Sequence, residues 1–350
     1  MLVATLRLRR LAHRARTVAT AAFVAAAAVA HAQDARSQAP KELTLSVAVG
    51  PAYALGKAAL HWANHLGEKS GGALLATVFP GASLAQRDPA RELTALRSGA
   101  ADLAVGSTLY WSAQVDALGV VGLPWLAAEP RQVDALIGSP VADMLMAAVQ
   151  RAGIVPLALA PLGHRQLAVR ERLIRTPGDL AGMQVRIAGP PQLAELFATL
   201  GARAQVMAFA DAQAAFTAGT LDAQDGTPAM FATTRLNAVG VQRVVLWDAI
   251  AEAALFAVNR ERWEAWTAAE QAFVRDAARE TAAELADLLR QENEAALAAL
   301  KKGGISVTRL TPAERAAFAA ATRDLYTKRA AVAGEELARA AEAAVKSAAP

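Results

Sequence analysis

The fold class of this chain is decided by residues 42–79, ELTLSVAVGPAYALGKAALHWANHLGEKSGGALLATVF. Within them, Glu42–Val49 is rich in apolar and β-branched residues and predicts a strand, and Gly56–Ser70 predicts a helix that the following Gly-Gly pair ends. Ala73–Phe79 returns as a second strand, which completes a βαβ unit. Because strand and helix predictions keep alternating along the chain, we expect α/β layers with largely parallel strands.

A later predicted strand places a charge among aliphatic residues. In MQVRIAGPP, residues 183–191, Val185 and Ile187 alternate with Gln184 and Arg186. Successive side chains of a strand point to opposite faces, so Arg186 faces away from the core, towards either water or a cleft.

A second arginine favours the cleft. Arg165, in PLGHRQLAV, precedes a predicted strand that we expect to pair with the strand of Arg186, so both side chains can project into one crevice. In parallel α/β sheets, ligands bind in the crevice outside the carboxyl ends of the strands. A planar guanidinium presents paired N–H donors that match both oxygens of a carboxylate. The two arginines therefore predict a site for a small acid.

A long helix is predicted near the C-terminus. Thr267 with Glu270 three residues later forms a capping box, and the helix that it starts can run to Lys302 before Gly303-Gly304. Such a helix is roughly 50 Å long at 1.5 Å per residue. We expect it to brace two lobes.

The N-terminus, residues 1–32, has the pattern of a secretory signal peptide. A basic segment without acidic residues precedes the apolar run Val18–Ala30, and Ala30-His31-Ala32 is an A-x-A cleavage pattern, so we predict a cut after Ala32. The apolar run of 13 residues is too short to span a bilayer. The basic segment contains five arginines: Arg7, Arg9, Arg10, Arg14 and Arg16. We expect a soluble, exported mature protein.

Composition then excludes several classes of function. The full chain has 36 basic and 32 acidic residues, and loss of those five arginines leaves 31 and 32, a net charge of −1. The mature chain therefore gives no reason to expect nucleic-acid binding. Its lack of cysteine excludes disulfides, thiol catalysis and cysteine-ligated zinc, and a large exported chain without disulfides fits a bacterial periplasm.

Motifs for catalysis and metal binding are weak. His61 and His65 have the i, i+4 spacing of metal ligands on a helix, but a zincin needs Glu where Trp62 stands, and no third ligand is obvious. His164 has no evident nucleophile as a partner, and no phosphate-binding glycine loop occurs. We predict no catalytic residues, cofactor or metal, although scattered carboxylate pairs leave acid–base catalysis open.

The residues around both arginines resemble the DctP-type solute-binding proteins of TRAP (tripartite ATP-independent periplasmic) transporters. The resemblance is carried by DLAGMQVRIAGPP, residues 179–191, and by LGARAQVMAFADAQAAFTAGTLDAQDGTP, residues 200–228. It extends over nearly all of the mature chain through further stretches: residues 71–106, LPW at 123–125, GHRQLAV at 163–169, and NRERWEAWTAAEQAFVRDAA from Asn259.

The resemblance implies a fold and its division. We expect an α/β, two-lobed periplasmic binding protein fold, with hinge strands crossing between the lobes and a long helix spanning both. One lobe would comprise residues 41–161 and 247–285, and the other residues 162–246 and 286–345.

It also implies a binding site. The family's principal carboxylate ligand corresponds to Arg186, with Arg165 assisting, and Phe209 in the M-A-F motif resembles the aromatic residue against the solute. Ser107 and Tyr110 look like pocket positions of the first lobe.

Position 226 departs from the family pattern, and the placement of residue 111 stays ambiguous. Many relatives carry D-G-Q-E-N-P where this chain has DAQDGTP, so the family's asparagine contact becomes Gly226, between Asp225 and Thr227. Trp111 fits the pocket or the core equally well.

The functional expectation is a periplasmic binding protein that closes around a small carboxylate and delivers it to a TRAP membrane permease. We expect a monomer without nucleic-acid partners. The alternative is a ligand-sensing binding protein for a signalling partner. An enzyme acting on an acid is disfavoured because no nucleophile and base pair emerges.

Overall fold

The structure is a computed structural model that describes residues 39–207, 209–233 and 236–348, without the side chains of residues 209 and 210. The signal peptide of residues 1–32 and its cut after Ala32 lie outside the described residues and stay predictions. Within the described part, no single helix is long and apolar enough to cross a membrane. The bent pair Pro130–Ile137 and Pro140–Arg151 reaches that length and composition only jointly.

The described residues form alternating strands and helices. The strands are β1 Lys41–Val47, β2 Leu74–Phe79, β3 Leu103–Ser107, β4 Ile154–His164, β5 Gln166–Val169, β6 Gln184–Ile187, β7 Arg203–Val206, β8 Ala223–Gly226, β9 Arg243–Leu246, β10 Ala251–Asn259 and β11 Ser306–Arg309. The helices are α1 Ala54–Lys69, α2 Glu92–Ser98, α3 Thr108–Trp111, α4 Pro130–Ile137, α5 Pro140–Arg151, α6 Pro191–Thr199, α7 Phe209–Thr217, α8 Pro228–Ala232, α9 Arg260–Glu264, α10 Ala268–Lys302, α11 Pro312–Ala321, α12 Arg323–Ala333 and α13 Glu335–Ser347.

Two sheets divide the strands. The first sheet has the order β2-β1-β3-β10-β4, and the second has the order β11-β9-β5-β8-β6-β7. Strand directions are mixed, because β10 runs antiparallel to β3 and β4, and β5 runs antiparallel to β8 and β9. The remaining pairs are parallel, so five of the nine strand pairs of the described residues follow the expectation of largely parallel strands.

The chain crosses between the sheets at three places. Arg165 alone joins β4 to β5, and residues 247–250 join β9 to β10. These two crossings contact each other, since the Arg165 N–H donates to the Ile250 carbonyl at 2.9 Å. The third crossing is α10, which contacts α1 and β4 on one side and α8 and β11 on the other. The two-lobed α/β fold with hinge strands and a spanning helix is confirmed, whereas the exact lobe boundaries stay a prediction.

The long helix begins at its predicted cap. The Thr267 side chain accepts a hydrogen bond from the Glu270 N–H at 3.2 Å, and the Glu270 carboxylate accepts one from the Thr267 N–H at 2.9 Å. This reciprocal pairing satisfies two N–H groups that a helix start leaves without intrahelical partners.

Buried aromatic rings fix the layers around the crossings. Trp62 of α1 lies edge-on to Phe256 of β10, with ring centroids 5.3 Å apart. In the crossing segment 247–250, Trp247 stacks on Phe197 of α6 at 5.6 Å and meets Trp125 edge-on at 5.7 Å. Such pairs add about 0.5–1.5 kcal/mol each beyond burial, so they hold this crossing firmly against the second sheet.

One expected strand pairing is wrong. We expected the strand after Arg165 to pair with the strand of Arg186, but β8 lies between β5 and β6. Every residue of β8 is buried. Burial on both faces is typical of a strand at the centre of a sheet, and this short AQDG strand has it.

Candidate functional site

A cavity of ≈ 220 Å³ lies where the two sheets meet. Four of the predicted site residues line it: Ser107, Tyr110, Arg165 and Thr227. Its wall also includes Tyr53, His164, Met230, Glu252, Leu289, Glu292 and Asn293. The long helix α10 thus contributes one wall, and both sheets contribute the rest.

Strand ends position the cavity's hydroxyl groups. Ser107 is the last residue of β3, and its hydroxyl caps α3 by accepting from the Leu109 N–H at 3.1 Å. Thr227 follows β8 and caps α8 by accepting from the Met230 N–H at 3.3 Å. In both cases a strand stops where a helix starts, so the capping side chain is fixed at the cavity edge.

Arg165 holds together acids from both sheets. Its Nε donates to Asp225 Oδ2 at 2.6 Å, and its Nη1 donates to Glu252 Oε1 at 3.1 Å. Asp225 belongs to β8 of the second sheet and Glu252 to β10 of the first, and all three side chains are buried. Burial alone would lower the pKa of Arg165, but Asp225 and Glu252 raise it well above its ordinary value. The crossing point of the chain is therefore an ion triad that joins the two sheets.

Arg186 lies beside this triad. It is 3% exposed on β6, and its Nε donates to the Met207 carbonyl at 3.0 Å. Burial and the nearby Arg165 charge lower its pKa from the ordinary value, while Tyr110 and Asp225 act in the opposite direction. The predicted alternation holds, since Val185 and Ile187 enter the apolar core, but the face of Arg186 is buried too. Arg186 does not itself line the cavity; its neighbours Arg165 and Tyr110 do.

Tyr110 completes the polar group on the side of the first sheet. It lies on the single-turn helix α3, three residues after Ser107. Burial raises the pKa of its hydroxyl, and the charge of Arg165 opposes that rise. The hydroxyl therefore stays protonated at neutral pH and is available as a hydrogen-bond donor.

Gly226 does not line the cavity, and the structure shows why a larger side chain does not fit there. A Cβ atom placed on Gly226 would lie 2.8 Å from Cε1 of Phe231, whose ring is fully buried. In this chain the Phe231 ring takes the space beside position 226. The asparagine that the resemblance implies at this position in many relatives would therefore have to displace the Phe231 ring of α8.

Three other predicted positions have different outcomes. Asp225 is fully buried and bound to Arg165 rather than lining the cavity. Trp111 belongs to the core, because it is fully buried and its Nε1 donates to Glu92 at 3.3 Å. Phe209 begins α7, and its side chain lies outside the described residues.

Glu252 is the residue that sequence reasoning missed. Its signal was the same as that of Arg186: a lone charge in an apolar strand, here AEAALFAVN. A bulge between Glu252 and Ala253 interrupts the register with β4, and bulges of this kind re-aim side chains. Glu252 accepts hydrogen bonds from Ser107 and Arg165 and so connects the cavity's hydroxyl to the triad.

Comparison with known proteins assigns this architecture to a family. The profile described as "Bacterial extracellular solute-binding protein, family 7" (DctP) matches residues 45–332. The chain belongs to the DctP family. A similar member is the C4-dicarboxylate-binding periplasmic protein DctP of Rhodobacter capsulatus, 27% identical over 281 residues, which are 80% of this chain and 83% of the relative.

Two further likenesses extend the assignment. An uncharacterized protein of Sinorhizobium fredii is 29% identical over 90% of this chain, but the chain spans only 57% of that relative's length. Among solved structures, a TRAP periplasmic solute-binding protein of Ralstonia eutropha with bound (S)-2-acetolactate is similar with a TM-score of 0.83 and 36% identity, covering 87% of this chain and 99% of that one. The DctP family is one of binding proteins, in agreement with the expectation from sequence.

Proposed function

We propose that this chain is a periplasmic solute-binding protein that captures a small organic acid in the cavity between its sheets and delivers it to a TRAP-type membrane permease. Arg186 holds the carboxylate of the solute, and Arg165 adds a second charge-assisted contact. The proposal also includes export through the predicted signal peptide and action as a monomer.

The observation that carries this proposal is the buried guanidinium of Arg186. Its surroundings lower its pKa, which means that they disfavour its positive charge. A carboxylate that binds next to Arg186 and Arg165 supplies the negative charge and the acceptor oxygens that this environment favours. The same desolvation strengthens the interaction once the lobes exclude water.

The class of solute follows from the volume of the cavity and from the hydroxyl and carboxyl groups that line it. The Thr227 hydroxyl can donate to an oxo group on the carbon next to a carboxylate, and the oxygens of Ser107 and Glu252 can accept from a hydroxyl group there. The Ralstonia eutropha relative binds (S)-2-acetolactate, a hydroxy-oxo monocarboxylate of this kind. We therefore propose a short hydroxy or oxo acid as the solute, with C4-dicarboxylates as the nearest competitors, given the Rhodobacter capsulatus relative.

Contacts across the cavity mouth support closure around the solute. The Tyr53 hydroxyl, before α1, lies 3.2 Å from the Thr233 hydroxyl, after α8. The Ala54 N–H at the start of α1 donates to Glu292 of α10 at 2.6 Å. Hinge closure between lobes joined by short crossings is the expected way to enclose and release such a solute.

A thermal-shift panel tests the function directly. It contains C4-dicarboxylates, 2-oxo acids, sugar acids, aromatic acids and acetolactate, together with 3-hydroxy-2-butanone, which is acetolactate without its carboxylate. We expect at least one acid to raise the melting temperature and 3-hydroxy-2-butanone to have no effect. Arg186→Ala should weaken binding of the best acid by about 30-fold or more, as expected for loss of a buried charge partner worth ~2 kcal/mol or more.

The matched control is Arg203→Ala on the adjacent strand β7. Arg203 is exposed, so its loss should leave the response to the acid unchanged. A best ligand without any anionic group, or an Arg186→Ala protein that responds like the unmodified one, would show that the carboxylate assignment is wrong.

A further inference from the structure

A cluster of histidine and glutamate side chains lies outside the cavity, between α1 and the middle of α10. His65, Glu280 and Glu284 each present one ligand atom, and these atoms all lie within 4.8 Å of one another. The two glutamates are separated from His65 by more than 200 positions in the sequence. Helix α10 therefore places two carboxylates beside one member of the histidine pair of α1.

The tautomer of His65 follows from its hydrogen bonds. Thr281 Oγ1 donates its only proton to the Ala277 carbonyl at 2.9 Å, so at 3.2 Å it can only accept from His65 Nδ1. The proton of a neutral His65 therefore sits on Nδ1. Its Nε2 lone pair is directed towards Glu284, with Nε2 3.5 Å from Oε1.

This geometry suits a cation rather than a direct contact between two acceptors. Ligand atoms placed 2.0–2.2 Å from a tetrahedral zinc ion are ~3.4 Å apart, which matches the separation of His65 Nε2 and Glu284 Oε1. A histidine ligand whose other ring nitrogen is held by a fixed group is the usual arrangement at metal sites, and Thr281 is such a group because it is fully buried.

His61 contacts the other carboxylate oxygen of Glu284. Its Nδ1 lies 2.8 Å from Glu284 Oε2, one turn of α1 away from His65. The carboxylate of Glu284 is thus held by His61 on one oxygen and directs the other oxygen to His65. Glu280 completes the set, although in the structure it pairs with Lys69 at 2.6 Å.

We propose that His65, Glu284 and Glu280 bind a divalent transition-metal ion of the zinc type, with His61 and Thr281 as positioning residues. Imidazole and carboxylate ligands favour zinc over magnesium, which prefers oxygen ligands in an octahedron. A fourth position remains for water. The ion joins α1 to α10, and Lys69 competes with it for Glu280.

Isothermal titration of untagged, chelator-treated protein with zinc chloride tests the site. We expect one zinc ion per chain, and no binding of magnesium chloride under the same conditions. His65→Ala and Glu284→Gln should each lower the zinc affinity by at least about tenfold, and Thr281→Val by about tenfold through loss of the histidine's orientation. Glu68→Gln, an exposed acid on the same helix, is the control that should leave the affinity unchanged.

Lys69→Ala distinguishes a metal site from a merely structural cluster. It removes the competitor for Glu280 and should raise the zinc affinity about two- to fivefold, the factor expected for a surface ion pair. Absence of zinc binding to the unmodified protein would overturn the proposal. So would equal affinity in His65→Ala or Glu284→Gln, since binding would then be located elsewhere, and a Lys69→Ala protein with weaker binding would contradict the role of Glu280.

Discussion

Arg165 has two roles at the scale of the single residue. It lines the cavity, and it also pairs with Asp225 and Glu252, two buried acids from different sheets. Removing one member of a buried ion cluster leaves its partners as uncompensated buried charges. Arg165 therefore contributes to the stability of the folded chain as well as to the wall of the cavity.

Arg165→Ala should lower the free energy of unfolding of the solute-free protein by about 3–5 kcal/mol, measured by denaturant titration. The reason is the loss of the cation between two buried carboxylates. Adding Asp225→Asn to the same protein should recover part of the loss, because one of the stranded charges is removed. A decrease below about 1 kcal/mol, or a double variant no more stable than the single one, would contradict the triad.

Glu92 is a buried acid whose charge state depends on pH. Its carboxyl accepts from the Ser46 hydroxyl at 2.9 Å and from Trp111 Nε1 at 3.3 Å, beneath the first sheet. Burial raises its pKa to about 8, from an ordinary value of 4.5. Between these values the unfolded chain releases the proton while the folded chain keeps it, so stability decreases as pH rises through that window.

Glu92→Gln should remove this dependence, since an amide stays neutral at every pH. The free energy of unfolding of the variant minus that of the unmodified protein should therefore be on the order of 3 kcal/mol larger at pH 8 than at pH 5. Denaturant titrations of both proteins at the two pH values give the difference, in which all other titrating groups cancel. A difference that is the same at both pH values would mean that Glu92 is ionised in the folded protein.

The charged residues of the site were predictable to the extent that each interrupts an apolar pattern. Arg186 and Arg165 stand out in this way, and Glu252 carries the same signal, although it was not singled out. The burial of Trp111 beside Glu92 and of Phe231 beside Gly226 could not be predicted. The first contact joins two helices and the second joins a strand end to the following helix, and only the three-dimensional packing sets the directions of these helices.

At the scale of elements, α10 was the most predictable part of the fold. Its capping box and terminal glycines are local signals, and the helix runs from Ala268 to Lys302 as predicted. Strand neighbours were not predictable in the same way. The place of β8 between β5 and β6 depends on burial of the sheet's centre, which no local pattern of the AQDG segment encodes.

Thr267→Ala should lower the free energy of unfolding by about 1 kcal/mol, because the Glu270 N–H at the start of α10 loses its acceptor. Thr327→Ala, at an exposed position inside α12 where the hydroxyl bonds only the Arg323 carbonyl, should change it by less than about 0.5 kcal/mol. Both changes are measured by denaturant titration. Equal decreases in the free energy of unfolding for the two substitutions would show that the cap hydrogen bond does not stabilise the protein more than an exposed hydroxyl inside a helix.

At the scale of the whole molecule, the cavity owes its position to the three crossings. Arg165, segment 247–250 and α10 all pass between the halves that the two sheets define, and Arg165 and α10 also line the cavity. A solute bound there contacts the hinge strands and the brace helix together. In the proposed function, binding and closure are therefore coupled through the same residues.

A crystal structure of the protein with its best-binding acid tests the central claim most directly. We expect the two oxygens of the solute carboxylate to lie about 2.7–2.9 Å from guanidinium nitrogens of Arg186, with Arg165 close to the same carboxylate. The account is contradicted if the acid binds elsewhere while the Arg186 guanidinium faces bulk water or pairs with a carboxylate of the protein itself.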